Sequence, residues 1–143
     1  MRYMGTPLSI RFSPGLLARL RRKADSMPGA TASGLAQRFV EEGLRMSDHP
    51  GVVFKGGPSG RRAALAFGPD VWEVVKVLGE IDERGDAAIP AAADLLALPE
   101  AKVRLALQYY AAYRDEIDGQ VTDADRASIE AEAEWRVEQQ LLA

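Results

Sequence analysis

Leu8-Ser9-Ile10-Arg11-Phe12-Ser13-Pro14 is the stretch whose reading decides the fold. Leu8, Ile10 and Phe12 alternate with Pro7, Ser9 and Arg11, the two-residue period of a strand with one buried face. Ser13 then caps a helix, with Pro14 at its first position, where a missing N–H costs nothing. Leu16, Leu17 and Leu20 carry the apolar face of that helix to about Met27, ahead of Pro28-Gly29. Thr31 or Ser33 caps a second helix, with Leu35, Phe39, Val40 and Leu44 at helical spacing. One strand of about six residues and two short helices cannot bury a core alone. The economical partner for the lone strand is the same strand from a second copy.

This run, its leucine-bearing helix and the capped helix after it resemble the ribbon-helix-helix family of repressors and antitoxins over residues 5–46. The resemblance implies a homodimer whose strands pair antiparallel across a two-fold axis, with their outer face in the DNA major groove. Pro7, Ser9 and Arg11 occupy the outer positions. Arginine can make a bidentate contact to guanine, and serine can donate or accept. Pro7 has no reading group, which departs from the family pattern. The start of the second helix, around Thr31, Ala32 and Ser33, offers backbone N–H groups to a phosphate. The expected DNA-binding set is therefore Ser9, Arg11, Thr31 and Ser33, and the bland alternative is an edge strand with Arg11 solvated. Arg19, Arg21, Arg22 and Lys23 read first as a solvated helix face and second as a phosphate clamp.

A chain of 143 residues has room for one ordinary domain or two small ones. Cysteine is absent, which excludes disulfides and thiolate metal sites. The start lacks the apolar core of a signal peptide, and no apolar run approaches the roughly 18 residues of a membrane span. A cytoplasmic protein without a membrane partner is expected. The net charge of −3 conceals a strong asymmetry. Residues 1–46 hold eight basic and three acidic side chains, residues 47–113 seven and nine, and residues 114–143 three and nine. A basic head and an acidic tail suggest two different partners, phosphates for one and a basic surface for the other.

Downstream, Val52-Val53-Phe54-Lys55 and Arg62 to Phe67 read as short strands around Gly56-Gly57-Pro58-Ser59-Gly60, a hairpin. Pro69 opens a helix through Val71, Trp72, Val74, Val75, Leu78 and Ile81, stopping by Gly85. A short helix from about Ala91 to Ala97 and a longer one from Glu100 to about Ile117 have helix-turn-helix spacing. The stretch also resembles a small domain of unassigned function found in bacterial antitoxins encoded beside PIN-like ribonuclease toxins. The matching residues are His49-Pro50-Gly51, Gly56-Gly57-Pro58, Ala106-Leu107-Gln108-Tyr109-Tyr110 and Arg114-Asp115-Glu116-Ile117-Asp118. Ser59-Gly60-Arg61-Arg62 departs from the family's Gly-Thr-Arg turn.

Catalytic machinery is not visible. His49 is the only histidine and has no nucleophile motif or ligand-spaced companions. Asp115 and Glu116 are neighbours that point to different sides of a helix. The glycine-rich loop near Lys55, Arg61 and Arg62 lacks the ending of a P-loop, so a hairpin turn is expected before a phosphate cradle. Tyr109, Tyr110 and Tyr113 are expected in core or interface positions before a base-stacking surface.

Thr122 or Asp123 caps a last helix to Leu142, with Ile129, Ala133, Val137 and Leu141 on one stripe. Trp135 and Leu142 lie on a second stripe nearby, with Glu130, Glu134 and Glu138 between. Such a helix either docks on its own domain or lies in the groove of a partner.

The expectations are an α+β, mostly helical chain, without cofactor, metal or enzymatic activity. It has a DNA-binding module at 1–46, a small α+β domain at 47–119 and an acidic helix at 120–143. Through the resemblance, its function is that of a type II antitoxin and repressor. The homodimer, or a higher even oligomer, would bind operator DNA and neutralise a co-encoded PIN-like toxin through Ile129, Glu134, Trp135, Val137 and Leu141. A stand-alone transcriptional regulator is the alternative, and an enzyme acting on a phosphorylated substrate at the Lys55–Arg62 loop is a more distant one.

Overall fold

The computed structural model describes residues 5–57 and 60–143. The chain is α+β and mostly helical, with six α-helices and one two-stranded antiparallel sheet among the described residues. It divides into two compact units, Met1–Leu44 and Arg45–Ala143, and the division falls inside a helix.

In the first unit, residues 5–13 have no regular structure. They enter no ladder, because a strand needs a partner and the described residues supply none there. The expected Leu8–Phe12 strand is therefore not formed by one copy. Helix α1 (Pro14–Asp25) starts where Ser13 Oγ accepts from the Leu16 N–H at 3.3 Å, with proline at the first helical position. It stops two residues short of the expected end. Gly29, at φ +74°, turns the chain into α2 (Ala32–Asp48). Thr31 is the cap there, since its Oγ1 accepts from the Gly34 N–H at 3.0 Å; Ser33 lies inside the helix. The unit buries little. Ala24 and Leu35 are its buried apolar side chains among the described residues.

The second unit closes a core. Strands β1 (Val52–Lys55) and β2 (Arg62–Leu65) pair with Val52 opposite Leu65 and Lys55 opposite Arg62. Gly51 precedes them at φ +100°, where an added Cβ would stand 2.7 Å from Leu105 Cδ2, so the turn after His49-Pro50 requires glycine. After β2, Phe67 takes a left-handed backbone (φ +57°) and leaves its ring in solvent. Helix α3 (Val71–Glu80) follows, its entry held by the Asp70 N–H donating to Glu73 Oε2 at 2.9 Å. A 3-10 turn at Gly85–Ala87 leads into α4 (Ala88–Leu96). Ala97, at φ +53°, ends α4, and α5 (Glu100–Ala112) follows after Leu98-Pro99. Val52, Leu65, Val71, Val74, Val103, Tyr109 and Ile117 are the largest fully buried side chains.

The C-terminal helix differs from expectation. Helix α6 (Arg114–Leu142) runs unbroken for 29 residues, after a single non-helical residue, Tyr113. Thr122 caps nothing; its hydroxyl donates back to the Asp118 carbonyl at 3.0 Å. The first turns of α6 pack on α3 and bury Ile117, and that packing carries the helix through the expected break.

Candidate functional site

Two surfaces and one internal network bear on function. The first surface belongs to the first unit. Leu8, Ile10 and Phe12 are 82%, 56% and 38% exposed, so the alternating face that a strand would bury stands open. Across from it on α2, Val40 is exposed too, and Gly5, Thr6, Pro7, Leu8, Ile10 and Phe12 with Ser33, Ala36, Gln37, Val40 and Glu41 line an open groove of about 940 Å³. Monomeric proteins seldom expose apolar side chains in such contiguous groups. Ser9, Arg11, Thr31 and Ser33 are all exposed. Thr31 already spends its hydroxyl on the cap, which leaves the backbone of the first turn of α2 as the anion-facing group.

The second surface is the distal part of α6. From Asp125 to the end every residue is exposed, including Ile129 (68%), Trp135 (57%), Val137 (65%) and Leu141 (86%). The tail does not dock on its own domain. Its two apolar stripes stand on opposite sides of the helix rather than side by side. Trp135 lies about five whole turns beyond Ile117 at 3.6 residues per turn, and so continues the side that Ile117 buries against the core. Ile129, Val137 and Leu141 face the other way. Glu130, Glu134 and Glu138 form a ridge along one flank, and the other flank carries Glu132 paired with Arg136 at 2.6 Å. The expected partner-binding residues Ile129, Glu134, Trp135, Val137 and Leu141 are thus all accessible, on three sides of one helix.

The internal network was not foreseen. Arg45, counted with the basic head, donates to Tyr109 Oη at 2.8 Å and pairs with Glu116 Oε2 at 2.9 Å. Its guanidinium also lies 3.8 Å from the centre of the Tyr113 ring. His49 meets Tyr109 and Tyr113 edge-on, at 5.3 and 6.0 Å between ring centres. Burial pushes the Tyr109 hydroxyl up to about 12, against the pull of Arg45 toward ionisation. Tyr110 Oη donates to Asp118 Oδ1 at 2.7 Å. The two motifs Ala106–Tyr110 and Arg114–Asp118 are therefore joined by their side chains, and within the second unit they hold Arg45 and His49 against α5 and α6. Residues 45 and 116 are too far apart in sequence for any local pattern to reveal the pairing.

Other candidates resolve into structural roles. Lys55 Nζ donates to the Gly68 carbonyl at 2.7 Å, which fixes the turn after β2. Pro58 and Ser59 lie outside the described residues, and with them the middle of the glycine-rich loop. In α5, Val103, Ala106 and Tyr109 face the core, while Glu100, Ala101, Arg104 and Gln108 face out. No group of three or more metal-binding side chains occurs among the described residues. No described helix is long and apolar enough to cross a membrane.

No family model, curated protein or solved structure matches the chain.

Proposed function

We propose that the protein is a dimeric DNA-binding repressor that also captures a basic protein partner on its C-terminal helix, as a type II antitoxin does. The observation that carries this reading is the first unit's open apolar face. Leu8, Ile10 and Phe12 project from a segment with no partner strand among the described residues, directly before a capped, arginine-bearing helix. Pairing with the same segment of a second copy buries those three side chains and turns Ser9 and Arg11 outward together. Two copies of Arg11 then face one groove of a palindromic site. The exposed α6 tail supports the second half of the proposal. An acidic helix with bare aliphatic and aromatic side chains suits a groove that is apolar and basic. A PIN-like ribonuclease, as the sequence resemblance implies, is the proposed owner of that groove, and the protein acts in the cytoplasm.

The test compares the full chain with a chain ending after Arg126. That end point keeps Ile117, Val121, Ala124 and the Lys76–Asp125 ion pair, which hold α6 to the domain. The truncated chain is expected to retain operator binding in a gel shift and to lose capture of the co-encoded protein in a pull-down. Retained capture would place the partner surface elsewhere. Lost DNA binding by a folded truncated chain would make the tail part of the DNA module.

A further inference from the structure

A second groove in the first unit has a different character from the one beside residues 5–12. It measures about 580 Å³ and is lined by Leu16, Leu20 and Phe39 together with Arg19, Arg22, Lys23 and Ser26. Leu8, Ile10 and Phe12 take no part in it. Leu16 is 47% exposed and Phe39 36% exposed, so its apolar floor is accessible. Arg19 and Lys23 are one helical turn apart on α1, with Arg22 beside them. None of the three forms an ion pair among the described residues. A DNA backbone would use the three cations but has no use for a floor of leucine and phenylalanine. An acidic amphipathic helix would use both.

The chain carries such a helix. Glu130, Glu134 and Glu138 recur at one-turn spacing along α6 and make no ion pair among the described residues. Ile129, Val137 and Leu141 stand exposed beside them. Successive carboxylates on the acidic ridge are spaced as Arg19 and Lys23 are, about one helical turn apart, with Arg22 beside Lys23. We propose that the α6 tail of one copy occupies the α1–α2 groove of a second copy, with Glu130, Glu134 and Glu138 against Arg19, Arg22 and Lys23. The carboxylates make pairing of one tail with another unfavourable, so the complementary surface is the basic groove. This contact regulates both ends of the molecule. It withholds the basic ridge from nucleic acid and the tail from any other basic partner, so that engaging either one releases the other. The inference stands on charge and geometry and does not depend on the identity of operator or toxin.

The experiment is sedimentation of the full chain without DNA or partner protein, at low salt and in 1 M salt, where charges are screened beyond about 3 Å. The wild type is expected to exceed its high-salt mass at low salt. The variant E130K/E134K/E138K and the variant R19E/R22E/K23E are each expected to stay at the high-salt mass, because each carries like charges on tail and groove. Mixed in equal amounts, the two variants are expected to assemble again, the lysine tail of one entering the glutamate groove of the other. All six side chains are exposed, and unchanged helical circular dichroism confirms that the variants fold. The proposal is overturned if the wild type shows no salt-sensitive assembly, if either variant alone assembles as the wild type does, or if mixing restores nothing.

Discussion

The two units of this chain make opposite use of their apolar side chains. Between residues 45 and 143, the hairpin, α3, α4, α5 and the start of α6 enclose Leu65, Val74, Val103, Tyr109 and Ile117 completely. Between residues 5 and 44, comparable side chains stand open, and burial is confined to Ala24, Leu35 and Glu42. Both stretches have the composition of a folded protein, yet one is complete within a chain and the other is not. Small units bury too small a fraction of their surface to stand alone. In the proposed dimer, a second copy supplies what the first unit's half-built core lacks.

That contrast can be broken at four places. The largest effect is expected in the closed unit. Ile117→Ala removes three methyl or methylene carbons from a fully buried site that ties α6 to the core. It should cost about 2–5 kcal/mol of unfolding free energy in urea, whatever the protein concentration. Phe12→Ala should act through association instead. The expected outcome is a dimer weakened by about 2 kcal/mol, as for a central aromatic anchor, with the unfolding of the second unit unchanged. Sedimentation over a dilution series measures it, and equal destabilisation of both units would erase the distinction between them.

Arg11→Ala should cost about 1–3 kcal/mol in specific DNA binding and leave the dimer intact. Binding to operator and to random DNA, measured side by side, checks this. An equal loss on both makes Arg11 a phosphate contact rather than a base contact. The smallest effect concerns Tyr109. Its hydroxyl stays protonated up to about 12 in the fold, above the ordinary phenol value of 10.0, because burial disfavours the phenolate. The stability held by that proton is present in full below pH 10 and is lost as pH rises from about 10 to about 12, since the unfolded chain ionises first. Tyr109→Phe should cost about 1 kcal/mol at neutral pH, through loss of the hydrogen bond from Arg45, and should blunt the alkaline fall. An alkaline melting series of both proteins reads the difference.

Much of the architecture was legible because local chemistry and tertiary packing agree. Ser13-Pro14 announces α1, the glycine-rich stretch between Lys55 and Arg62 announces a hairpin, and the spacing from Val71 to Leu78 announces α3. The disagreements have physical causes. Gly119, Thr122 and Asp123 look like punctuation, but Ile117, Val121 and Ala124 share the side that meets α3, and packing overrides the weak local preference. Phe67 accepts a left-handed backbone that its own sequence does not favour. Arg45 counts by charge with the basic head. Its contacts with Tyr109 and Glu116 arrive only with the fold. The two stripes of the tail lie on opposite sides of α6 and not side by side as expected, because Trp135 and Leu142 fall about half a turn from Ile129, Val137 and Leu141.

Hydrogen exchange at two protein concentrations tests the central contrast most directly. Amides of α3 and α5, such as those of Val74 and Val103, are expected to keep the same protection when the protein is diluted a hundredfold from about 100 micromolar. Amides of α1 and of the first turns of α2 are expected to lose protection on that dilution, because their order rests on a second copy. Protection in α1 and α2 that does not change with concentration, in a protein that sediments as a monomer, would contradict the account.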